Sequence, residues 1–335
     1  MSIKFSSYFN SWLNENYYKS PFRVGKGGDF YTSVSVGPLF GVTLAYHFLN
    51  LVKKGEFSPH ANIVEIGAND GSMICDFISG IFTFRPEILK TLKFNIIEPH
   101  ENLREIQAEN LKRKFGDEVE ISHFKSLKEC KFNEAFFISN ELLDCFACEA
   151  VDEGKMLYVK NDNLFWSSAD SEILSACKKF GIKKGEIALG LSEFARDVVN
   201  SAKRLKFIGF DYGDMGSRGD ITLRVYKEHN VFNLLEIKNL KEFFGVSDIT
   251  YDVNFAQVKK AFEDSGLKFK SFKKQSLALV EFGCADVLEY VLKNGGESAY
   301  KSFLKQFKFL TSPEFLGERF KMIEFEKGMN EICNI

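Results

Sequence analysis

The sequence has no excess of one charge: 44 Lys and Arg stand against 46 Asp and Glu, a net of −2. That balance leaves no electrostatic footprint for a nucleic-acid partner. Long hydrophobic runs are also missing. The longest apolar region, residues 38–52, is interrupted by Thr43, His47 and Asn50 and is too short to span a bilayer, so no membrane insertion is expected. Only Lys4 precedes the first, polar-interrupted stretch, which has no signal-peptide core; a cytoplasmic location is expected. The 7 cysteines are scattered and odd in number, which fits free thiols. Cys145 and Cys148 form a Cys-x-x-Cys, yet no second pair or nearby histidine completes a zinc set, and no metal is expected. Internal repeats are absent.

At 335 residues the chain exceeds one minimal core, so one large α/β domain with additions, or two domains, is expected. It is organised around residues 61–71. Ile63, Val64 and Ile66 make a short apolar run with the composition of a buried parallel strand. Gly67 breaks it, and Gly71 opens a helix through Met73, Ile74, Phe77 and Ile78. Strand, glycine turn and helix present backbone N–H groups and a helix N-terminus to a ligand. The plainer reading is a tight β-to-α turn with glycines where φ is positive. Asn69 stands where a dinucleotide Gly-x-Gly-x-x-Gly needs its middle glycine.

About 30 residues on, the length of one βαβ unit, residues 94–97 form a second apolar strand that ends at Glu98 and Pro99. A carboxylate at that tip is where a Rossmann-type site holds both ribose hydroxyls. Otherwise Glu98 is a solvated residue at a strand end. Leu103, Ile106 and Leu111, with charges between them, supply the next amphipathic helix.

Elsewhere, Phe5, Phe9, Trp12, Leu13 and Tyr17 fall at helical spacing and read as a docking helix. Residues 24–33 are glycine-rich and carry Phe30 and Tyr31, the makings of a surface loop or of a lid over a ligand. Residues 37–54 read as a helix. A third strand is expected at 119–121 and a fourth at 134–139, followed by Asn140-Glu141-Leu142-Leu143-Asp144. Such a polar end lies where ligands bind in a doubly wound sheet, beyond the carboxyl ends of the strands. Residues 148–159 and 164–166 read as an antiparallel ribbon turning at Glu153-Gly154. A helix at 194–205 and a fifth strand at 207–213 follow, then a long loop-like segment, 214–246. Residues 253–264 read as helix, 267–272 and 277–282 as an antiparallel strand pair at the sheet edge. A helical region with Phe303, Leu304, Phe307 and Leu310 completes the chain.

Taken together, these motifs resemble the MidA-like methyltransferase family, whose mitochondrial members are complex I assembly factors. Residues 28–33 with Pro38-Leu39-Phe40-Gly41 are similar to its N-terminal signature, and Glu65-Ile66-Gly67 to Gly71 to its cofactor motif. Residues 140–144 match its post-strand-four motif, Asp211-Tyr212-Gly213 its strand-five motif, and 248–255 and 316–321 two later signatures. Ala68-Asn69-Asp70 replaces the usual Pro-Gly-Arg, and Val34-Ser35 the usual Pro-Glu. The resemblance implies an α/β, Rossmann-like class I methyltransferase fold: a mostly parallel seven-stranded sheet, strand seven an antiparallel edge, helices on both faces. Residues 1–55 would be an N-terminal helical and lid segment and 56–147 the first half of the cofactor domain. Residues 148–190 would be an inserted antiparallel segment, and 191–335 the second half, with the 214–246 insertion and C-terminal helices.

The resemblance also implies S-adenosylmethionine as methyl donor. Glu65, Gly67, Ala68, Gly71 and Glu98 would hold it, with Tyr31, Thr32 and Asn140 beside it and Ser126 on the loop flanking adenine. The acceptor it implies is a protein side chain, an arginine of a partner such as a respiratory-complex subunit. A guanidinium, with a free pKa above ~12, is a poor nucleophile. Glu141 and Asp144 could clamp it and collect its proton, with Asp211 and Tyr212 lining the acceptor side. Asp144 could equally cap a helix. Two rival classes stay open: a non-catalytic assembly factor that keeps the fold, and a Rossmann-type NAD-dependent oxidoreductase.

Overall fold

Ile63, Val64 and Ile66 lie at the middle of a sheet. The computed structural model of the chain, which describes residues 2–19, 32–228 and 230–329, places them in β1 (Asn62–Ile66), flanked in parallel on both sides. A strand buried on both faces needs a continuous apolar run rather than alternation. The remaining strands are β2 (Lys93–Ile97), β3 (Ile121–Phe124), β4 (Phe132–Asn140), β5 (Ala202–Asp214), β6 (Lys268–Lys274) and β7 (Phe320–Lys327). Across the sheet they run β6-β7-β5-β4-β1-β2-β3. Strands β1 to β5 pair in parallel, whereas β6 and β7 pair antiparallel. Helices α1 (Leu39–Lys53) and α2 (Ser72–Phe84) bury Phe40, Phe48, Phe77 and Ile78 against Phe136 and Ile138 of β4. Helix α3 is Glu101–Phe115.

The C-terminal third differs from expectation. Residues 277–282 are not a strand but lie in and just after α4 (Gln275–Glu281). Gln275, Ala278, Leu279 and Phe282 are buried while Leu277 and Val280 are exposed, a helical spacing that the apolar run conceals. The antiparallel partner of β6 is β7, and the chain continues past α5 (Cys284–Asn294) and α6 (Gly296–Thr311) into that strand rather than ending in helices. The sheet edge is therefore β6, with β7 inside it. Five of β6's seven residues are serine or lysine, the composition that protects an exposed edge, while β7 is almost wholly buried. The third strand begins at 121, and the helix expected at 194–205 spans Leu191–Ser201, because pairing of β5 with β4 starts at Ala202.

These elements belong to one compact unit, Tyr31–Asn140, Asp197–Asp211 and Gly266–Ile335; the second unit is Met1–Phe30, Glu141–Arg196 and Tyr212–Ser265. In the second unit a five-stranded sheet is built from Cys148–Asp152, Lys155–Lys160, Asn163–Ser168 and Lys184–Ala188, with Ile3–Lys4 on Lys155–Lys160. The ribbon turns at Glu153-Gly154 and again at Asn161-Asp162, all four at positive φ. Phe5, Phe9, Trp12 and Leu13 are fully buried, and Trp12 Nε1 donates to the Ser247 carbonyl over 2.8 Å. Much of 214–246 is ordered structure: Arg224–Lys227 pairs with Asn230–Asn233 and with Asp248–Thr250. The end of β5 pairs in parallel with Val253–Asn254, so closely that a Cβ on Gly213 would lie 2.0 Å from the Val253 carbonyl oxygen. No described helix is long and apolar enough to cross a membrane.

Candidate functional site

The glycine turn follows β1 directly. The Gly67 N–H donates to the Ile97 carbonyl (3.0 Å), tying the turn to the end of β2. Gly67 and Gly71 take φ of +70° and +80°, and Asn69 is left-handed as well, at +48°. Asparagine is among the few side chains that tolerate this region, so the missing middle glycine does not forbid the turn. Ala68 is buried, its carbonyl accepts from the Gly71 N–H (2.7 Å), and Asp70 Oδ1 takes the Ser72 N–H at the start of α2 (3.0 Å).

Two carboxyl groups flank this turn in the same unit. Glu98, just beyond β2, is only 3% exposed. Its Oε1 accepts from the His100 N–H (3.0 Å) and its Oε2 from Gln107 Nε2 (3.4 Å). Burial outweighs these donors and the nearby Arg104, and pushes the carboxyl up to about 7. Glu65, on β1, is 2% exposed and is also pushed well up by burial, against a hydrogen bond from the Ile74 N–H. Its Oε2 has no hydrogen-bond partner among the described residues.

Other expected cofactor residues are occupied locally. Ser126 Oγ caps the turn Leu127–Glu129 by accepting from the Lys128 N–H (3.2 Å). Thr32 closes a turn with Ser35, exchanging hydrogen bonds of 2.8 Å and 3.0 Å. Tyr31, and the lid expected at 24–33 up to that residue, lie outside the described residues.

The acceptor-side residues divide. Asn140 and the fully buried Asp211 belong to the parallel-sheet unit, on β4 and β5. Glu141, Asp144 and Tyr212 belong to the other unit. There Asp144, 3% exposed, accepts at Oδ2 from the Tyr212 hydroxyl (2.6 Å) and from Thr250 Oγ1 (2.7 Å). Cys145 Sγ donates to its Oδ1 (3.4 Å). The Arg224 guanidinium lies 4.7 Å over the Tyr212 ring and donates to Asp252 (2.7 Å). Asp144 is the centre of a buried polar cluster and sits within a short 3-10 turn, Leu143–Cys145. Glu141 takes φ +52°, a conformation uncommon for a long side chain. Its carbonyl oxygen lies 3.7 Å from Cys145 Sγ.

Residues 43–273 match the family model described as "Putative S-adenosyl-L-methionine-dependent methyltransferase". The chain belongs to this methyltransferase family. Among relatives, the protein arginine methyltransferase NDUFAF7, mitochondrial, of Danio rerio is 21% identical over 91% of this chain and 78% of its own length. The Rattus norvegicus protein of the same name is 22% identical over 91% and 76%. A Burkholderia thailandensis protein solved with S-adenosyl-homocysteine superposes with a TM-score of 0.82 at 22% identity, over 98% of this chain and 89% of that one, which shares the fold. The MidA-like methyltransferase thus has the α/β class I fold and uses S-adenosylmethionine as its methyl donor.

The cradle fits that donor. The glycine turn offers backbone at close range, Glu98 is a buried acceptor at a strand tip, and Glu65 Oε2 is left over for a donor arriving with the ligand. Sequence reading missed several residues of the methyltransferase. Gln107 and Asn110 lie on α3, and their amides donate to the Asn69 carbonyl (2.8 Å) and the Asp70 carbonyl (2.9 Å). The signal was there: Gln107 stands four residues from both Leu103 and Leu111 on the buried face, and a glutamine in that stripe needs partners. Thr250 and Arg224 carried no such signal, because they reach Asp144 and Tyr212 only through the tertiary fold.

Proposed function

We infer that this methyltransferase transfers the methyl group to an arginine side chain of a partner protein. The name of the mitochondrial relatives, protein arginine methyltransferase, supports this reading, as does the chemistry of residues 141–144. The observation that carries it is the Glu141 backbone. A glutamate held at φ +52° costs on the order of 1–3 kcal/mol that a glycine would avoid, and such strain persists where a side chain is needed in place.

S-adenosylmethionine supplies a methyl group already activated on a sulfonium. Gly67, Ala68 and Gly71 would bring backbone to it, Glu98 would accept from its ribose hydroxyls, and Glu65 Oε2 would take a donor that arrives with it. Glu141 pairs with the acceptor guanidinium by a charge-assisted hydrogen bond and takes its proton as the nitrogen reacts. Asp144, held by Tyr212 and Thr250, keeps the 141–145 turn in shape and adds negative charge beside it.

The test is mass spectrometry of methylated arginines in cells with and without the protein, followed by single-turnover transfer to the acceptor so found. Glu141→Gln keeps volume and removes the charge; it should slow transfer by ~10²–10⁴ while cofactor affinity stays unchanged. No arginine site lost without the protein, or full turnover in Glu141→Gln, refutes the reading. Cofactor binding without transfer to any protein would instead identify a non-catalytic assembly factor.

A further inference from the structure

Gln107 is wholly buried and stands between the two halves of the cofactor cradle. Its Nε2 donates both to the Asn69 carbonyl inside the glycine turn (2.8 Å) and to Glu98 Oε2 (3.4 Å). Gly71 packs on the same side chain: a Cβ there would lie 3.5 Å from Gln107 Cγ. One turn along α3, Asn110 Nδ2 donates to the Asp70 carbonyl (2.9 Å), so the helix grips the turn at two successive carbonyls. Only the first of these grips also reaches the carboxylate.

We propose that Gln107 is a positioning residue: its single amide holds the methionine-side turn and the ribose-side carboxylate in one register. The proposal rests on the cradle reading of Gly67–Gly71 and Glu98 given above. A carboxylate binds two hydroxyls well only when ionised and aimed, and a buried one tends to stay protonated. The Gln107 donor favours the ionised form. The charged group facing Glu98 is Arg104 on α3, whose guanidinium donates to the Glu98 and Pro99 carbonyls (both 2.8 Å); Glu65 on β1 is the other titratable group there, and burial favours its neutral form. Arg104 adds positive charge but gives its hydrogen bonds to backbone carbonyls. The Gln107 amide and the His100 N–H are the groups that bond the carboxylate itself. Asn110, by contrast, tethers the turn without touching Glu98.

The experiment is calorimetry of S-adenosylhomocysteine binding from pH 5.5 to 9 on four proteins: wild type, Gln107→Met, Asn110→Leu and Glu98→Gln. Thermal unfolding of each establishes that it is folded, and Gln107→Leu replaces Gln107→Met if the latter is not. In the wild type, affinity should rise with pH through about 7, as Glu98 ionises. Gln107→Met should weaken binding about tenfold at neutral pH and move that midpoint upward. Asn110→Leu should weaken binding with the midpoint in place, and Glu98→Gln should abolish the dependence. An unshifted midpoint in Gln107→Met, or equal shifts in Gln107→Met and Asn110→Leu, overturns the coupling role while leaving the cradle intact. Wild-type affinity and pH dependence in Glu98→Gln overturns the cradle reading itself, and this proposal with it.

Discussion

The Tyr212 hydroxyl donates to Asp144 Oδ2 over 2.6 Å, and both residues are buried, 68 positions apart in the chain. Thr250 shares the same oxygen at 2.7 Å. Removing one donor leaves a buried carboxyl group under-satisfied, which costs about 1–3 kcal/mol. Tyr212→Phe and Thr250→Val should each lower stability by that amount in urea unfolding. Because they bond one atom and contact each other at 3.1 Å, the double variant should depart from additivity. Strict additivity would mean the two hydroxyls act independently.

Glu98→Ala should weaken S-adenosylmethionine binding by roughly 10- to 150-fold, the range set by ~1.5–3 kcal/mol for a charge-assisted hydrogen bond. Calorimetry on the folded variant decides this. Unchanged affinity would remove Glu98 from the cofactor site.

Glu141→Gly should separate stability from activity. Glycine adopts φ +52° without the steric cost that glutamate bears, though it loses more freedom on folding. The net effect should be neutral to about 1 kcal/mol stabilising, with transfer lost. A clear destabilisation would show that the glutamate side chain contributes to folding and not only to chemistry.

His47 should make the protein acid-sensitive. Its ring stacks on Phe282 at 3.8 Å, Nε2 is buried without a hydrogen-bond partner among the described residues, and burial pulls its pKa from 6.5 down to about 3. Glu324 favours the charged ring, while Lys206, Lys54 and Lys273 oppose it. A folded pKa below the unfolded one means stability is full above about pH 6.5 and is lost as pH falls towards 3. His47→Phe keeps the stack and removes the titration. The drop in Tm between pH 7.5 and 5 should be smaller in His47→Phe than in the wild type; an equal drop would assign acid sensitivity to other groups.

What could be read from the chain alone was what neighbouring residues settle. The run Ile63-Val64-Ile66, the break at Gly67 and the apolar face after Gly71 specify strand, turn and helix within a few residues, and Glu98 falls one βαβ unit later. The family followed from short motifs in fixed order. Pairing between distant segments was beyond that reach. Whether residues 277–282 made a strand depended on which side chains found a core, and the insertion of β7 between β5 and β6 joins strands over a hundred residues apart. That Tyr212 and Thr250 close on Asp144, and that Gln107 reaches both the glycine turn and Glu98, was set by the tertiary fold. Periodicity and turn chemistry are local; a buried hydrogen bond is specified only when the whole chain decides which groups leave water together.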